Sequence, residues 1–457
     1  MSTLIAPRTL SGFRDYLPNV MLGREKVLQF AREVYRSYGF TPIDTPACES
    51  LDVLLGKGGE ESDKLVYRVQ SARGDKVEMG LRFDLTVPFA RFSAQYINEL
   101  GIPFKRYAMG PVWRGERPGQ GRYREFWQCD FDTIGTTSNA ADIETVLVIN
   151  DLFSKIGFER FEIRISHRMI LNGFLIAFGL GEDAVAILRA LDKLLKIGPD
   201  GVLKELLLVP NVDDAQARVI LNIATMSNKS PGNHSLLGDV EKLFSTAKPS
   251  QENDEKARSS FQTGVENLRR LLEVTKIAAI PENRIKIDLS ICRGLDYYTG
   301  TIYETFLTDL PGIGSVCSGG RYDNLASLYT KQVLPGVGAS LGLDRLIAAM
   351  EELKHPLLTS QTTPAEVLVV QFDAARLGEY QRIARVLRAD GVCVEVYPDA
   401  KKVGQQLAYA EKRGFKLAVI AGSAEFDQGV WKVKNLAKRE EITVVETELV
   451  QRVKELL

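Results

Sequence analysis

The sequence predicts an α+β chain in three parts: a sheet-bearing domain built on a polar-faced hairpin, a mainly helical insertion that interrupts it, and a small α/β domain at the C-terminus. Three observations carry this reading. Residues 114–132, RGERPGQGRYREFWQCDFD, alternate with period 2 beyond a PGQG turn. From about 165 to 285 helical spacing dominates and strand signals almost vanish. After a Pro- and Thr-rich stretch at 351–365, apolar strand patterns alternate with helical ones to the end of the chain. The boundaries drawn are 1–165 and 284–350 for the two parts of the sheet domain, 166–283 for the insertion, 351–365 for a linker and 366–457 for the C-terminal domain.

Composition bounds the function classes. A chain of 457 residues with 45% hydrophobic and 26% charged residues has room for two to four domains and a large core. A net charge of -1 gives no bulk attraction for polyanions, so any nucleic-acid surface must be a local patch. Cysteines at 48, 129, 292, 317 and 393 form no CxxC pair, and His167, His234 and His355 are scattered. No side-chain cluster therefore predicts a metal site or a disulfide framework, and a reducing compartment follows. With no run of 18 apolar residues and no signal-like N-terminus in MSTLIAPRTL, the expectation is a cytoplasmic protein without membrane partners.

Taken in order, SGFRDYLP at 11–18 reads as an ordered loop. Apolar residues at 27, 28, 30, 31, 34, 35 and 38 predict an amphipathic helix stopped by Gly39 and Pro42. Pro42 to Ser50 suits a short extended piece. In LRFDLTVPFARF at 81–92, Arg82, Asp84 and Thr86 alternate with Phe83, Leu85 and Val87. This predicts a strand end whose carboxylate and hydroxyl could receive an ammonium group, or simply a solvated strand face. In the hairpin, Arg122, Arg124, Gln128, Asp130 and Asp132 share one face, and Tyr123, Trp127, Cys129 and Phe131 share the core face. Before the turn, Val112, Arg114 and Glu116 oppose Tyr107, Met109 and Trp113. Water alone would account for such a polar face.

The insertion contains AVAILRALDKLLKIG and VENLRRLLEV, separated by polar linkers such as SNKSPGNHS and KPSQEND. Sheet-like text resumes at 284–306, where Arg293, Tyr297 and Tyr298 sit beside Gly294 and Gly300. GIGSVCSGGRYDNL at 312–325 follows, and then LPGVGASLGLDRLIAAM at 334–350, a glycine-rich strand running into an apolar helix with Arg345 near its start. Neither glycine run has the context of a dinucleotide fingerprint, and the absence of GxxxxGK[ST] excludes a P-loop. In the C-terminal domain, basic residues at 401, 402, 412, 413, 416, 432, 434, 438 and 439 make the most plausible basic patch, and a solvated charged surface explains them as well.

Several of these segments carry a family resemblance. RGERPGQGRYREFWQCDFD resembles the second signature motif of class II aminoacyl-tRNA synthetases, LGLDRL the third, and the helix with the strand ending at Pro46 the first. RGLDYYTG at 293–300 and GGRYDNL at 319–325 are similar to the two histidine-specific motifs of the histidyl-tRNA synthetase family. The resemblance implies a catalytic domain on an antiparallel sheet flanked by helices, usually homodimeric, and an α/β anticodon-binding domain. It also implies activation of L-histidine by ATP, transfer to tRNA(His), and Mg2+ accompanying the nucleotide.

By the same resemblance, Arg114 would hold the α-phosphate and the incoming carboxylate, with Arg293 acting from the opposite side. Arg345 would pack on adenine and touch the γ-phosphate, Glu116 would contact the adenine amine, and Arg122 would face the outer phosphates. Asp84, Thr86 and Gln128 match the ammonium contacts; Asp132 and Tyr298 match the pair gripping imidazole, with Tyr297 and Tyr322 lining the pocket. Fixed guanidinium groups suit an anionic transition state, and no protein base is needed for an ionised carboxylate. This chain has Asp84-Leu85-Thr86 where many members have Glu-Gly-Thr, and Asp132 where many have glutamate. A histidine-binding regulatory paralogue that controls the ATP phosphoribosyltransferase stays open as the alternative. Such paralogues typically lack the C-terminal domain and several of these side chains.

Overall fold

The alternation around 114–132 belongs to a long antiparallel pair, Phe104–Trp113 with Glu125–Ile134, in which Tyr107 faces Phe131 and Arg106 faces Asp132. The computed structural model describes residues 4–55, 63–72, 77–247, 254–292 and 297–457. They divide into two units, Met1–Arg14 with Val27–Leu353 and Asp15–Lys26 with Lys354–Leu457.

The strands of the first unit, numbered along the chain, are β1 (Thr41–Pro42), β2 (Cys48–Ser50), β3 (Arg68–Val69), β4 (Met79–Leu81), β5 (Phe104–Trp113), β6 (Glu125–Ile134), β7 (Phe161–His167), β8 (Ile285–Ile287), β9 (Thr301–Leu307), β10 (Cys317–Tyr322) and β11 (Gly336–Gly342). Eight of them form one sheet in the order β1-β5-β6-β11-β10-β9-β7-β8. The six central strands are antiparallel, and only the edge pairs β1-β5 and β7-β8 run parallel. This order sets β6 directly beside β11, although their paired ends Ile134 and Gly336 are about 200 residues apart in the chain. The odd-numbered face of the hairpin is the core face. The ring of Tyr35, from the helix Pro18–Ser37, packs at a tilt with its centroid 4.9 Å from that of Phe131 and 5.8 Å from that of Tyr107, and its hydroxyl donates to the Cys129 carbonyl at 2.9 Å.

The segment 81–92 departs from the expected strand. Only Leu81 is in a strand, and the chain enters a helix, Thr86–Leu100. The Asp84 carboxylate accepts the backbone N–H groups of Thr86 at 3.1 Å and Val87 at 2.9 Å, and Pro88 in the first turn has no N–H to satisfy. Two free helix donors are thereby capped, which outweighs three cycles of alternation.

The insertion is helical as expected, with helices Arg168–Ala177, Ala184–Asp192, Leu194–Leu206, Asp214–Thr225, Asn233–Thr246 and Asp254–Ile277. Its core includes Phe174, Phe244 and Phe261, the last two stacked at 3.9 Å, and it belongs to the same unit as the sheet. The helix Leu343–Glu352 takes up the first two residues of the expected 351–365 linker; there the Glu351 carboxylate is held by Arg14 at 2.6 Å.

The second unit holds a five-stranded sheet: β12 (Val367–Val370), β13 (Val394–Val396), β14 (Leu417–Ile420), β15 (Val430–Asn435) and β16 (Glu441–Val445), in the order β13-β12-β14-β15-β16. Its first three strands are parallel and its last two antiparallel to their neighbours. Of the basic residues noted there, Lys401, Arg413, Lys416 and Lys432 are paired with Asp399, Glu395, Glu366 and Glu425 respectively. These half-exposed to exposed pairs dilute the local positive potential.

Candidate active site

Two adjoining cavities open on the even-numbered face of β6, walled by β11 and β10. The larger, about 250 Å³, is lined by Arg114, Glu116, Arg122 and Arg345 together with Tyr123 and Phe126. The smaller, about 90 Å³, is lined by Asp84, Thr86, Asp130, Asp132, Tyr297, Tyr298 and Tyr322. Arg114, Gln128, Ser318 and Ser340 line both. One cavity is thus rich in guanidinium groups, the other in carboxylates and phenols, and an arginine stands where they meet.

Arg114 is fixed by stacking. Its guanidinium lies 4.4 Å from the Phe83 ring and 5.0 Å from the Phe126 ring, and Nε donates to the Phe83 carbonyl at 3.1 Å. Among the described residues its terminal nitrogens have no hydrogen-bond partner, so they remain available to an anion. In the larger cavity Arg345, from the first turn of the helix Leu343–Glu352, donates to the Ser315 carbonyl at 2.6 Å. The turn residue Gly121 has φ +62°, and a β-carbon there would press on the Arg345 side chain at 3.1 Å. Glycine therefore lets the hairpin tip close over that helix. Arg122 lies 3.4 Å from Glu116 near the mouth.

In the smaller cavity, Asp132 is held from two sides. Arg106, fully buried, lies 2.7 Å from Oδ2, and the Tyr322 hydroxyl donates to Oδ1 at 2.6 Å. Arg106 also donates to the Leu85 carbonyl at 3.0 Å and stacks on Phe89. Gln128 donates to the Ser340 hydroxyl at 2.7 Å. Burial pushes the Asp84, Asp130 and Asp132 carboxyls above the usual range; Arg106 opposes this most strongly for the last two. Burial likewise raises the phenols of Tyr297, Tyr298 and Tyr322, which stay protonated and able to donate.

Residues 12–346 match the family model described as "Histidyl-tRNA synthetase". The chain belongs to the histidyl-tRNA synthetase family. Residues 366–456 match the model of an anticodon binding domain. The histidine–tRNA ligase of Rhodopirellula baltica is 51% identical over 437 residues, covering 96% of this chain and 95% of that protein. The crystal structure of histidyl-tRNA synthetase from Nostoc sp. superposes with a TM-score of 0.86 at 32% identity, covering 99% of this chain and 100% of that one. A Bacillus halodurans structure titled "ATP phosphoribosyltransferase regulatory subunit/histidyl-tRNA synthetase" has a TM-score of 0.73 at 21% identity, covering 92% of this chain and 100% of that one, and shares the fold. In histidyl-tRNA synthetase terms, the eight-stranded sheet and its helices form a class II catalytic domain, followed by an anticodon-binding domain.

Of the residues singled out from the sequence of this synthetase family member, the smaller cavity gathers Asp84, Thr86, Gln128, Asp132, Tyr297, Tyr298 and Tyr322, and the larger gathers Arg114, Glu116, Arg122 and Arg345. Arg293 lies outside the described residues. Thr86 reaches its cavity from a helix start, not a strand. Tyr123, expected in the core, lines the larger cavity and accepts from Arg14 at 3.1 Å. Four lining or supporting residues were not among the site candidates: Arg106, Asp130, Ser318 and Ser340. Parity placed Asp130 on the right face, but only the β5-β6 register sets Arg106 opposite Asp132.

Gly338 forms the cavity floor on β11, where an added β-carbon would collide with the Phe131 carbonyl and the Asp132 carboxylate. Gly338→Ala is expected to cost about 1–3 kcal/mol of stability through overpacking. Urea unfolding checks this; an unchanged midpoint would mean that β6 and β11 can part without loss.

Proposed function

We propose that this chain is a histidine–tRNA ligase. The observation that carries the reading is the pair of adjoining cavities with Arg114, Gln128, Ser318 and Ser340 in common: an acid-lined pocket for an amino acid beside an arginine-lined one for a nucleotide. In the first step a carboxylate oxygen of L-histidine bonds to the α-phosphorus of ATP, the bond to the β-phosphate oxygen breaks, and pyrophosphate leaves. In the second, a terminal ribose hydroxyl of tRNA(His) attacks the histidyl carbonyl and AMP departs.

Within this reading Arg114 meets the α-phosphate and the substrate carboxylate, Arg345 and Arg122 the nucleotide, and Glu116 the adenine amine. Asp84, Thr86 and Gln128 receive the ammonium group; Asp132 and Tyr298 receive the imidazole, beside Tyr297 and Tyr322. Arg293 acts from the opposite side of the phosphate. Positioning and fixed charge carry the first step, because the attacking carboxylate is already ionised.

Among the described residues there is no group of three or more metal-ligating side chains, and Glu116 is the one carboxylate lining the larger cavity. That donor set suits Mg2+ carried in on the phosphates and keeping much of its water, not a resident ion. Magnesium would add charge neutralisation on the phosphates. Among the described residues no helix is long and apolar enough to cross a membrane. A cytoplasmic homodimer completes the reading.

The test is ATP–pyrophosphate exchange with each of the twenty amino acids. Exchange is expected with histidine alone. Histidine binding without exchange would favour the regulatory paralogue instead, and exchange with a different amino acid would overturn the assignment of the pocket.

A further inference from the structure

The smaller cavity holds three carboxylates, and their partners differ. Asp84 accepts two backbone N–H groups, and Asp132 is shared between Arg106 and the Tyr322 hydroxyl. Asp130 is 1% exposed, and the neutral Ser340 hydroxyl, which itself accepts from Gln128, is the hydrogen-bonding group acting on its carboxylate among the described residues. Its nearest cation, Arg106 Nη2, is 3.9 Å away and already committed to Asp132 at 2.7 Å. A buried carboxylate with no cation of its own is costly, and one neutral hydroxyl does not offset its charge, so either a proton or a ligand cation must meet it.

Asp84, Asp130 and Asp132 bring three negative charges and Arg106 one positive. The substrate ammonium cancels a second, and Arg114 answers the substrate carboxylate. Arg82 also acts on Asp130 but is engaged by Asp44 and the Thr45 and Pro111 carbonyls. The Tyr297, Tyr322 and Cys317 groups near Asp130 are raised by burial and neutral. One negative charge is left over, and the one remaining substrate group able to answer it is the side-chain ring. Neutral imidazole offers a single N–H donor; imidazolium offers two.

We infer that Asp130 and the substrate ring together hold one proton in the occupied pocket, making Asp130 a specificity-determining residue for a side chain that can accept a proton. This rests on the ligase reading above. Whether the proton sits on the carboxyl or on the ring, the pair carries it, and the source is solvent. Amino acids with neutral, non-basic side chains would leave Asp130 to be protonated alone, with no partner for it.

Isothermal titration calorimetry of the full-length protein with L-histidine, in buffers of different ionisation enthalpy, counts the proton. At pH 8 free imidazole is almost wholly neutral, so binding is expected to take up about one proton. In Asp130→Asn the uptake is expected to fall close to zero, with affinity weakened about tenfold through loss of a charge-assisted bond. If the variant binds too weakly for calorimetry, its KM for histidine in pyrophosphate exchange from pH 7 to 8.5 reads the same proton. Wild-type KM should rise with pH, steepening towards tenfold per unit above pH 8 because burial already raises the free Asp130 carboxyl to about 7, whereas the variant profile should be flat. Histidine-dependent exchange without proton uptake in the wild type would overturn the inference alone, as would undiminished uptake or an equally steep profile in the variant. Neither binding nor exchange with histidine would overturn the ligase reading and the inference with it.

Discussion

Arg114→Ala is expected to lower histidine-dependent pyrophosphate exchange by about 10²- to 10³-fold, mostly in kcat, as found when one preorganised donor to a developing charge is removed. The expectation comes from where the guanidinium stands. It lines both cavities, is clamped between Phe83 and Phe126, and has its terminal nitrogens free of protein partners among the described residues. A planar group so held needs no reorganisation when charge builds on the phosphorus oxygens. Arg114→Lys should recover little, because an ammonium can neither stack in that clamp nor bond in parallel to two oxygens. A lysine variant with near wild-type exchange would show that charge alone suffices at the junction, and the assigned role would fail.

The second large effect is on the fold. Arg106 is fully buried, carries the ion pair to Asp132 and lies near Asp130. Arg106→Met is expected to destabilise the protein by about 3–5 kcal/mol, because it strands carboxylates in a low-dielectric interior. Urea unfolding followed by circular dichroism measures the loss. Adding Asp132→Asn to that variant should restore a substantial part, since the residual cost is the unpaired charge and not the lost cation. Additive losses in the double variant would mean that the arginine stabilises through packing on Phe89 and its bond to the Leu85 carbonyl.

The same cluster marks how far the sequence could be read. Period 2 along Arg122 to Asp132 correctly separated Cys129 and Phe131, on the core face, from Gln128, Asp130 and Asp132. It could not tell water from a cavity on the polar side. Gln128, Asp130 and Asp132 are all at least nine-tenths buried, because β11 lies against β6 and its glycines and small residues leave room there. At 81–92 alternation misled, since a carboxylate two residues ahead of a helix can hold its first N–H groups whatever the periodicity says.

By itself the sequence determined the element types over most of the chain, the helical character of the insertion and the C-terminal α/β rhythm, while the residues now found around two cavities were picked out by the resemblance of its motifs to a family. Those are properties of local spacing and residue chemistry, and they survive in a linear text. Tertiary structure alone decided that Arg106 faces Asp132, that Asp130 is buried without a cation of its own, and that Arg114 stands where an acidic and a basic cavity meet. These depend on strand register and on neighbours brought from distant parts of the chain, and burial, which converts an ordinary carboxylate into a costly one, is a property of the assembled fold.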